Sequence, residues 1–342
     1  MATTDYALGW KSYFGIVPQA AFGTPLAATK FQTINSTTLK RNKPQQGIVN
    51  GIRKMRQSAI SYQIGQENVS GNVNAPLMPD EAFQGQIWAS LLGLNNTVSG
   101  TAGTGYTHTF LEGTQQSHFQ KTGYTVELLK GGEDVTLLHD YETCFVKSIT
   151  ITGAKDGIIT MDVEFIGETA TLGGTLATPT YPAGDLKFPF QGYMATLKLG
   201  ATVGAAAAIP QVQNWSLKID NGAKLMYGTG SRFPIGVAYE RLTYDLSFTM
   251  DLLEASAIEN YFNTPALVGG VIDIQHTVLA GSSTGVYGLT FNLYEMIATA
   301  GEPDITGDAA LQHTMNFSGM YSSVSSKTLD IVALNSESGT YS

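Results

Sequence analysis

The stretch VKSITITGAKDGIITMDVEFIG (Val146–Gly167) reads as two strands joined by a tight turn. Ile149 and Ile151 alternate with Thr150 and Thr152, and Met161, Val163 and Phe165 alternate with Asp162 and Glu164. A period of two residues marks a strand with one buried and one wet face. Lys155, Asp156 and Gly157 supply the turn.

The same grammar extends towards the N-terminus. Tyr124–Leu138 reads as a hairpin turning at Gly131 and Gly132, Phe31–Asn42 as a strand, and Ser58–Gly65 (SAISYQIG) as an alternating strand. MPDEAFQGQIWASLLG (Met78–Gly93) reads as a helix. Pro79, Asp80 and Glu81 suit its first turn, and Phe83, Ile87 and Leu91 fall on one face.

Beyond Gly167, the segment up to Asp185 is rich in Gly, Thr and Pro and reads as a linker at the middle of the chain. The order then repeats. Val212–Ile219 is a strand, Asp220–Tyr239 a long loop and Leu242–Met250 an alternating strand. DLLEASAIENYFN (Asp251–Asn263) is a helix stopped by Pro265, followed by strands in VIDIQHTVL, YGLTFNLYEM and LQHTMNFSGM. The closing strands share Thr-Met, Phe and Gly: Thr160, Met161, Phe165 and Gly167 against Thr314, Met315, Phe317 and Gly319. These patterns predict a mainly β chain of two tandem sandwich or barrel-like domains, each with a short flanking α-helix. The units run over 1–170 and 186–342, with 171–185 between them.

Composition restricts the function classes. Charged residues make up only 14% of 342, against about 25% in ordinary soluble domains, which points to a surface covered by copies of the same chain. Net charge is −9, a poor basis for gripping nucleic acid, although such a chain could surround DNA without holding it. Basic and acidic residues number 12 and 14 to residue 171 and 7 and 14 afterwards, so the second half is the acidic one. A lone cysteine, Cys144, excludes an internal disulfide and reads as a small buried hydrophobe. The N-terminus lacks a secretory pattern and no apolar run reaches membrane-helix length, so synthesis in a cytoplasm is expected.

Catalytic and metal motifs are missing. His108, His118, His139, His276 and His313 are scattered without ligand spacing. His139, Asp140 and Glu142 come nearest to a ligand group, and they read as an exposed loop end. Gly228–Gly236 (GTGSRFPIG) lacks the lysine of a phosphate loop and reads as a loop tip. Asp162 and Glu164 read as a solvated strand face. No enzymatic activity, cofactor or metal is expected. The densest charge feature is Lys40, Arg41, Lys43, Arg53, Lys54 and Arg56, in a long basic loop over 40–57. Without interleaved aromatic residues it suits an acidic protein surface better than nucleic acid. Its arms could reach roughly 35 Å, beyond their own domain.

The opening YFGIVPQAAFGTPLAATKFQTINSTTL (Tyr13–Leu39), with Gly15-x-x-Pro18-Gln19-x-x-x-Gly23-Thr24-Pro25 ahead of a strand, resembles the start of tail tube proteins of long-tailed bacteriophages. The likeness continues through the basic loop, the 78–93 helix, the 144–167 strand pair and the weaker second copy. It implies a structural virion protein, made in the host cytoplasm, whose domains join edge to edge into rings and stack into the conduit for genome delivery. It further implies contacts between rings through the long loop, hence through Lys40, Arg41, Lys43, Arg53, Lys54 and Arg56. Tape measure and terminator or tip proteins would be partners, and DNA would pass without specific binding. Two tube domains per chain would make three chains a pseudo-sixfold ring, and a single tube domain per chain would require six. Two other readings fit the composition: an outer-membrane porin-like β-barrel, opposed by the missing signal and the polar end SESGTYS, and a surface binding module or adhesin.

Overall fold

A computed structural model describes residues 12–46, 63–79, 82–93, 96–101, 104–114, 122–131, 136–173, 177–181, 189–209, 211–251, 267–278, 286–300 and 312–341. The first half contributes β1 (Tyr13–Pro18), β2 (Lys30–Gln32), β3 (Ser36–Thr37), β4 (Lys40–Asn42), β5 (Gln45–Gln46), β6 (Gln63–Ile64) and β7 (Asn68–Pro76). Helix α1 (Ala82–Leu92) follows, then β8 (Asn96–Thr101), β9 (Gly105–Leu111), β10 (Tyr124–Gly131), β11 (Thr136–Ala154), β12 (Thr160–Gly167) and β13 (Thr169–Leu172). The second half contributes β14 (Ala195–Gly200), β15 (Ala207–Ala208), β16 (Val212–Asp220), β17 (Ala223–Tyr227) and β18 (Pro234–Tyr239). It closes with β19 (Thr243–Asp251), β20 (Val268–Val278), β21 (Val286–Ala300), β22 (Gln312–Met320) and β23 (Leu329–Asn335).

The chain is mainly β, and its sheets do not close into a barrel. Of the two anticipated shapes, the sandwich is the one adopted. Strand β11 explains how. Its first part pairs with β10 and β13, and its second part with β12 and β16, so one long strand passes from one layer to the other. Phe14, Val126 and Leu128 from the first layer face Val163 and Phe165 from the second, with Phe14 and Phe165 ring centroids 6.2 Å apart. Helix α1 packs Phe83 against Phe14 at 5.4 Å and Trp88 edge-on against Phe291 of β21 at 5.7 Å. One apolar core therefore runs through both halves.

Strand β21 behaves as β11 does, pairing with β20 and β23 early and with β22 late. The register repeats residue for residue. Val146 opposes Phe165, which opposes Gly71, and likewise Ala298 opposes Phe317, which opposes Leu246. Tyr141 opposes Val126 as Leu293 opposes Gly270, Phe14 opposes Leu128 as Leu197 opposes Ile272, and Thr37 opposes Val73 as Trp215 opposes Phe248. The halves join where β16 pairs with the late part of β11, Ser148 opposite Asp220. A second link is β9 beside β23.

Several elements differ from their sequence reading. Phe31–Asn42 is broken into β2, β3 and β4, because Asn35 and the Ser-Thr-Thr run bend the chain while it follows β7. The Asp220–Tyr239 segment holds a hairpin, β17 with β18, around a loop tip that does fall within Gly228–Gly236. His139 and Asp140 lie inside β11 rather than at an exposed loop end, since β10 and β13 flank them on both sides. Within 171–185, Thr171 and Leu172 pair with β11, and the Ala177 N–H donates to Tyr13 Oη at 3.2 Å. Within the 78–93 reading the helix is α1 (Ala82–Leu92), with Met78 and Pro79 outside it. Asp80 and Glu81, the second helix reading beyond Asp251, the basic loop beyond Gln46 and most of SAISYQIG lie outside the described residues.

Candidate functional site

Seven strands, β4, β7, β12, β11, β16, β19 and β22, stand side by side in one antiparallel layer. Alternation separates its two faces. Val73, Met161, Val163, Ile149, Ile151, Leu217, Ile219, Leu246, Phe248 and Phe317 are buried on one side. The other side carries Ser70, Asn72 and Asn74 on β7, and Thr160, Asp162 and Glu164 on β12. Thr150 and Thr152 follow on β11, Ser216 and Lys218 on β16, Asp245, Ser247 and Thr249 on β19, and Thr314, Asn316 and Ser318 on β22. None of these is aromatic.

Short polar side chains on this face bond to each other across the strands. Asn72 Nδ2 donates to Asp162 Oδ1 at 2.8 Å and Ser318 Oγ donates to Asp245 Oδ1 at 2.7 Å. The hydroxyl pairs Thr152 with Thr160 and Thr249 with Thr314 lie at 3.0 and 2.9 Å. Glu164 accepts from Lys147 Nζ and Ser148 Oγ, each at 2.8 Å. Burial pushes the Glu164 carboxyl up, but the bonds from Lys147 and Ser148 and the charges of Lys147 and Lys218 outweigh it, so its pKa is lowered. The reading of Asp162 and Glu164 as a solvated strand face is borne out, with both carboxylates tied down. Among the described residues this face therefore carries short polar side chains, with Asp162, Glu164 and Asp245 set against Lys147 and Lys218.

The second feature lies at one end of this layer. β4 and β16 run parallel, and the hairpins β5–β6 and β17–β18 both leave past the same end. Glu67, fully buried, sits between them. Arg41 donates to its Oε2 through Nε at 2.9 Å and also through Nη2, while Arg232 Nε and Lys43 Nζ lie 3.5 and 4.0 Å from Oε1. The Glu67 N–H donates to the Arg232 carbonyl at 2.8 Å, and Asn68 Nδ2 donates to Tyr227 Oη at 3.2 Å. One buried carboxylate thus holds three partly exposed cations from both halves.

Of the six basic residues singled out in the sequence, Lys40, Arg41 and Lys43 line an open cleft beside this cluster, with Asn68, Ile166 and Leu225. Arg53, Lys54 and Arg56 lie outside the described residues. Glu67 and Arg232 escaped the sequence reading, because a glutamate and an arginine so far apart carry no local pattern. Cys144 is buried, as read, and burial raises its thiol pKa. The His139 region is acidic instead of metal-binding in shape. Asp140 opposes Glu127 across the strands, and burial, reinforced by Glu127 and Glu142, raises its carboxyl pKa to about 6. Tyr13 Oη donates to Glu127, whose other oxygen accepts from the Ala28 N–H at 2.9 Å. Among the described residues no group of three His, Cys, Asp or Glu side chains is arranged to hold a metal ion, and no helix is long and apolar enough to cross a membrane.

The family model described as phage tail tube protein matches residues 9–319, nearly the whole chain, and the chain belongs to that family. No curated protein matches it.

Proposed function

We propose that this phage tail tube protein self-assembles into stacked rings whose inner wall is the polar face of the seven-strand layer, forming the conduit for genome delivery. In this reading 1–170 and 186–342 are two copies of one tube module joined through 171–185, and three chains make a pseudo-sixfold ring. DNA passes a hydrated, weakly anionic wall and is not held. Lys40, Arg41, Lys43, Arg53, Lys54 and Arg56 contact the adjacent ring, and tape measure and terminator or tip proteins meet the ends. The mature protein resides in the virion tail after synthesis in the host cytoplasm.

The observation that carries this reading is an edge left open. In the repeated register, β16 corresponds to β3 and β4, and its far edge is covered by the late part of β11. The matching edge of β3 and β4 has no strand on it among the described residues. An open sheet edge pairs with another chain, and a head-to-tail contact that closes makes a ring. Carrying Ser148 opposite Asp220 over to the other half places Ala300 of one copy opposite Asn42 of the next. Directly opposed strand residues approach closely enough for a disulfide. The variant Asn42→Cys/Ala300→Cys, oxidised after assembly, should give a covalent ladder ending at three chains. Crosslinks absent from assembled tubes would refute this edge, and a ladder reaching six would refute the trimer.

A further inference from the structure

The resemblance implied ring stacking through one loop, and the second half holds a hairpin at the corresponding place. Hairpin β17–β18 occupies between β16 and β19 the place that β5–β6 occupies between β4 and β7. It leans against the base of the first hairpin through Arg232, Tyr227 and the buried Glu67. Its end presents apolar surface: Met226 is 49% exposed and Ile235 58%. Their place on a hairpin outside the main layer leaves both side chains open to a partner.

A matching surface lies at the opposite end of the same strands. The 155–157 turn, the Gly192–Met194 turn and the start of β16 enclose a cleft of about 490 Å³, lined by Lys155, Tyr193, Ile209, Gln211, Val212 and Asp251. Tyr193 there is 72% exposed, and neighbouring Ile158 is 49% exposed. The nine residues of β16 separate this cleft from the base of the hairpin, roughly 27 Å along the strand. The cleft mixes apolar groups (Tyr193, Ile209, Val212) with Lys155, Gln211 and Asp251. Two different surfaces at opposite ends of one molecule are the geometry of a heterologous contact, which repeats along an axis where the rotation does not close.

We infer that the β17–β18 hairpin of one copy docks its Met226 and Ile235 end into the Tyr193 cleft of a second copy in the next ring, forming an apolar stacking contact separate from the basic loop. This rests on the stacked-ring reading above. It assigns the second half its own axial contact, so each chain engages the next layer at two places.

The test uses the full chain in three forms: wild type, Met226→Asp/Ile235→Asp and, at the other surface, Tyr193→Asp. All three substituted positions are exposed, so circular dichroism should be unchanged. By electron microscopy both variants should still form single rings, with mean tube length at least about tenfold shorter than wild type. Tubes of wild-type length in either variant would overturn the contact. Loss of rings as well as tubes would also overturn it, since the hairpin would then act within a ring. Wild type that forms neither rings nor tubes would instead remove the stacked-ring reading itself.

Discussion

Replacing the buried carboxylate, Glu67→Gln, tests the cluster that ties the two halves together at one end of the layer. The shape is kept and the charge is removed, leaving Arg41, Lys43 and Arg232 facing one another. At an effective dielectric of about 20, a unit charge pair 3.5–4.0 Å apart carries roughly 4–5 kcal/mol before solvation. Lys43 and Arg232 are nearly half exposed, so each of their pairs contributes about 1 kcal/mol or less. Arg41 is more enclosed. Removing one member of a fully buried pair costs about 3–5 kcal/mol, and Arg41 falls below that because Nη1 keeps its bond to the Ala170 carbonyl at 3.0 Å. The total comes to about 3 kcal/mol, which lowers Tm by roughly 4 °C in a chain of this size. The assay is thermal unfolding at low salt and at 1 M salt, where the Debye length is only about 3 Å, so relief of cation repulsion should recover part of the loss. Trypsin should also cut faster after Arg232, because the hairpin loses its anchor. If Glu67→Gln melts within about 1 °C of wild type at low salt, the reasoning about this cluster is wrong.

Trp88→Ala, which empties a fully buried site against Phe291, should cost about 3–5 kcal/mol and weaken both halves together; two separated unfolding transitions would show that the shared core is not cooperative. Asp140 has a folded pKa of about 6, above the ordinary carboxylate value, so its ionisation destabilises the fold above that pH and the penalty fades as pH falls from about 6 towards 4. Asp140→Asn should therefore raise Tm at pH 7.5 and make little difference near pH 4, as thermal unfolding at the two pH values will show. Arg53→Glu/Lys54→Glu/Arg56→Glu should leave circular dichroism unchanged and shorten tubes; long tubes from this variant would mean that the loop is merely solvated.

What the sequence disclosed and concealed follows from where side chains point. Strands such as β12 and β19 were legible because Met161, Val163 and Phe165, or Leu246, Phe248 and Met250, mark the buried face at every second position. Strand β7 was not, because Asn68, Ser70, Asn72 and Asn74 fill its wet face and Gly71 interrupts the buried one, where a side chain would strike the Leu39 backbone. The hairpin β17–β18 was hidden by its Gly-rich tip. The polar end SESGTYS concealed Tyr341, which returns to the core and lies against Gly85 of α1 so closely that a Cβ there would meet its ring at 2.2 Å. The wall itself was half visible: Asp162 and Glu164 could be placed on a wet face, but that seven such faces align is a matter of long-range register. Glu67 could not be found at all, since its value depends on three cations brought together from distant parts of the chain.

In the proposed tube the polar face of the β4–β22 layer lines the channel of a ring built from three two-module chains. Electron cryomicroscopy of tubes assembled from purified wild-type chain tests it most directly, by counting chains per ring and placing Asp162, Asp245 and Thr314. The expected result is three chains, pseudo-sixfold density and all three residues facing the lumen. Rings of six chains, or a lumen lined by the opposite layer, would contradict it.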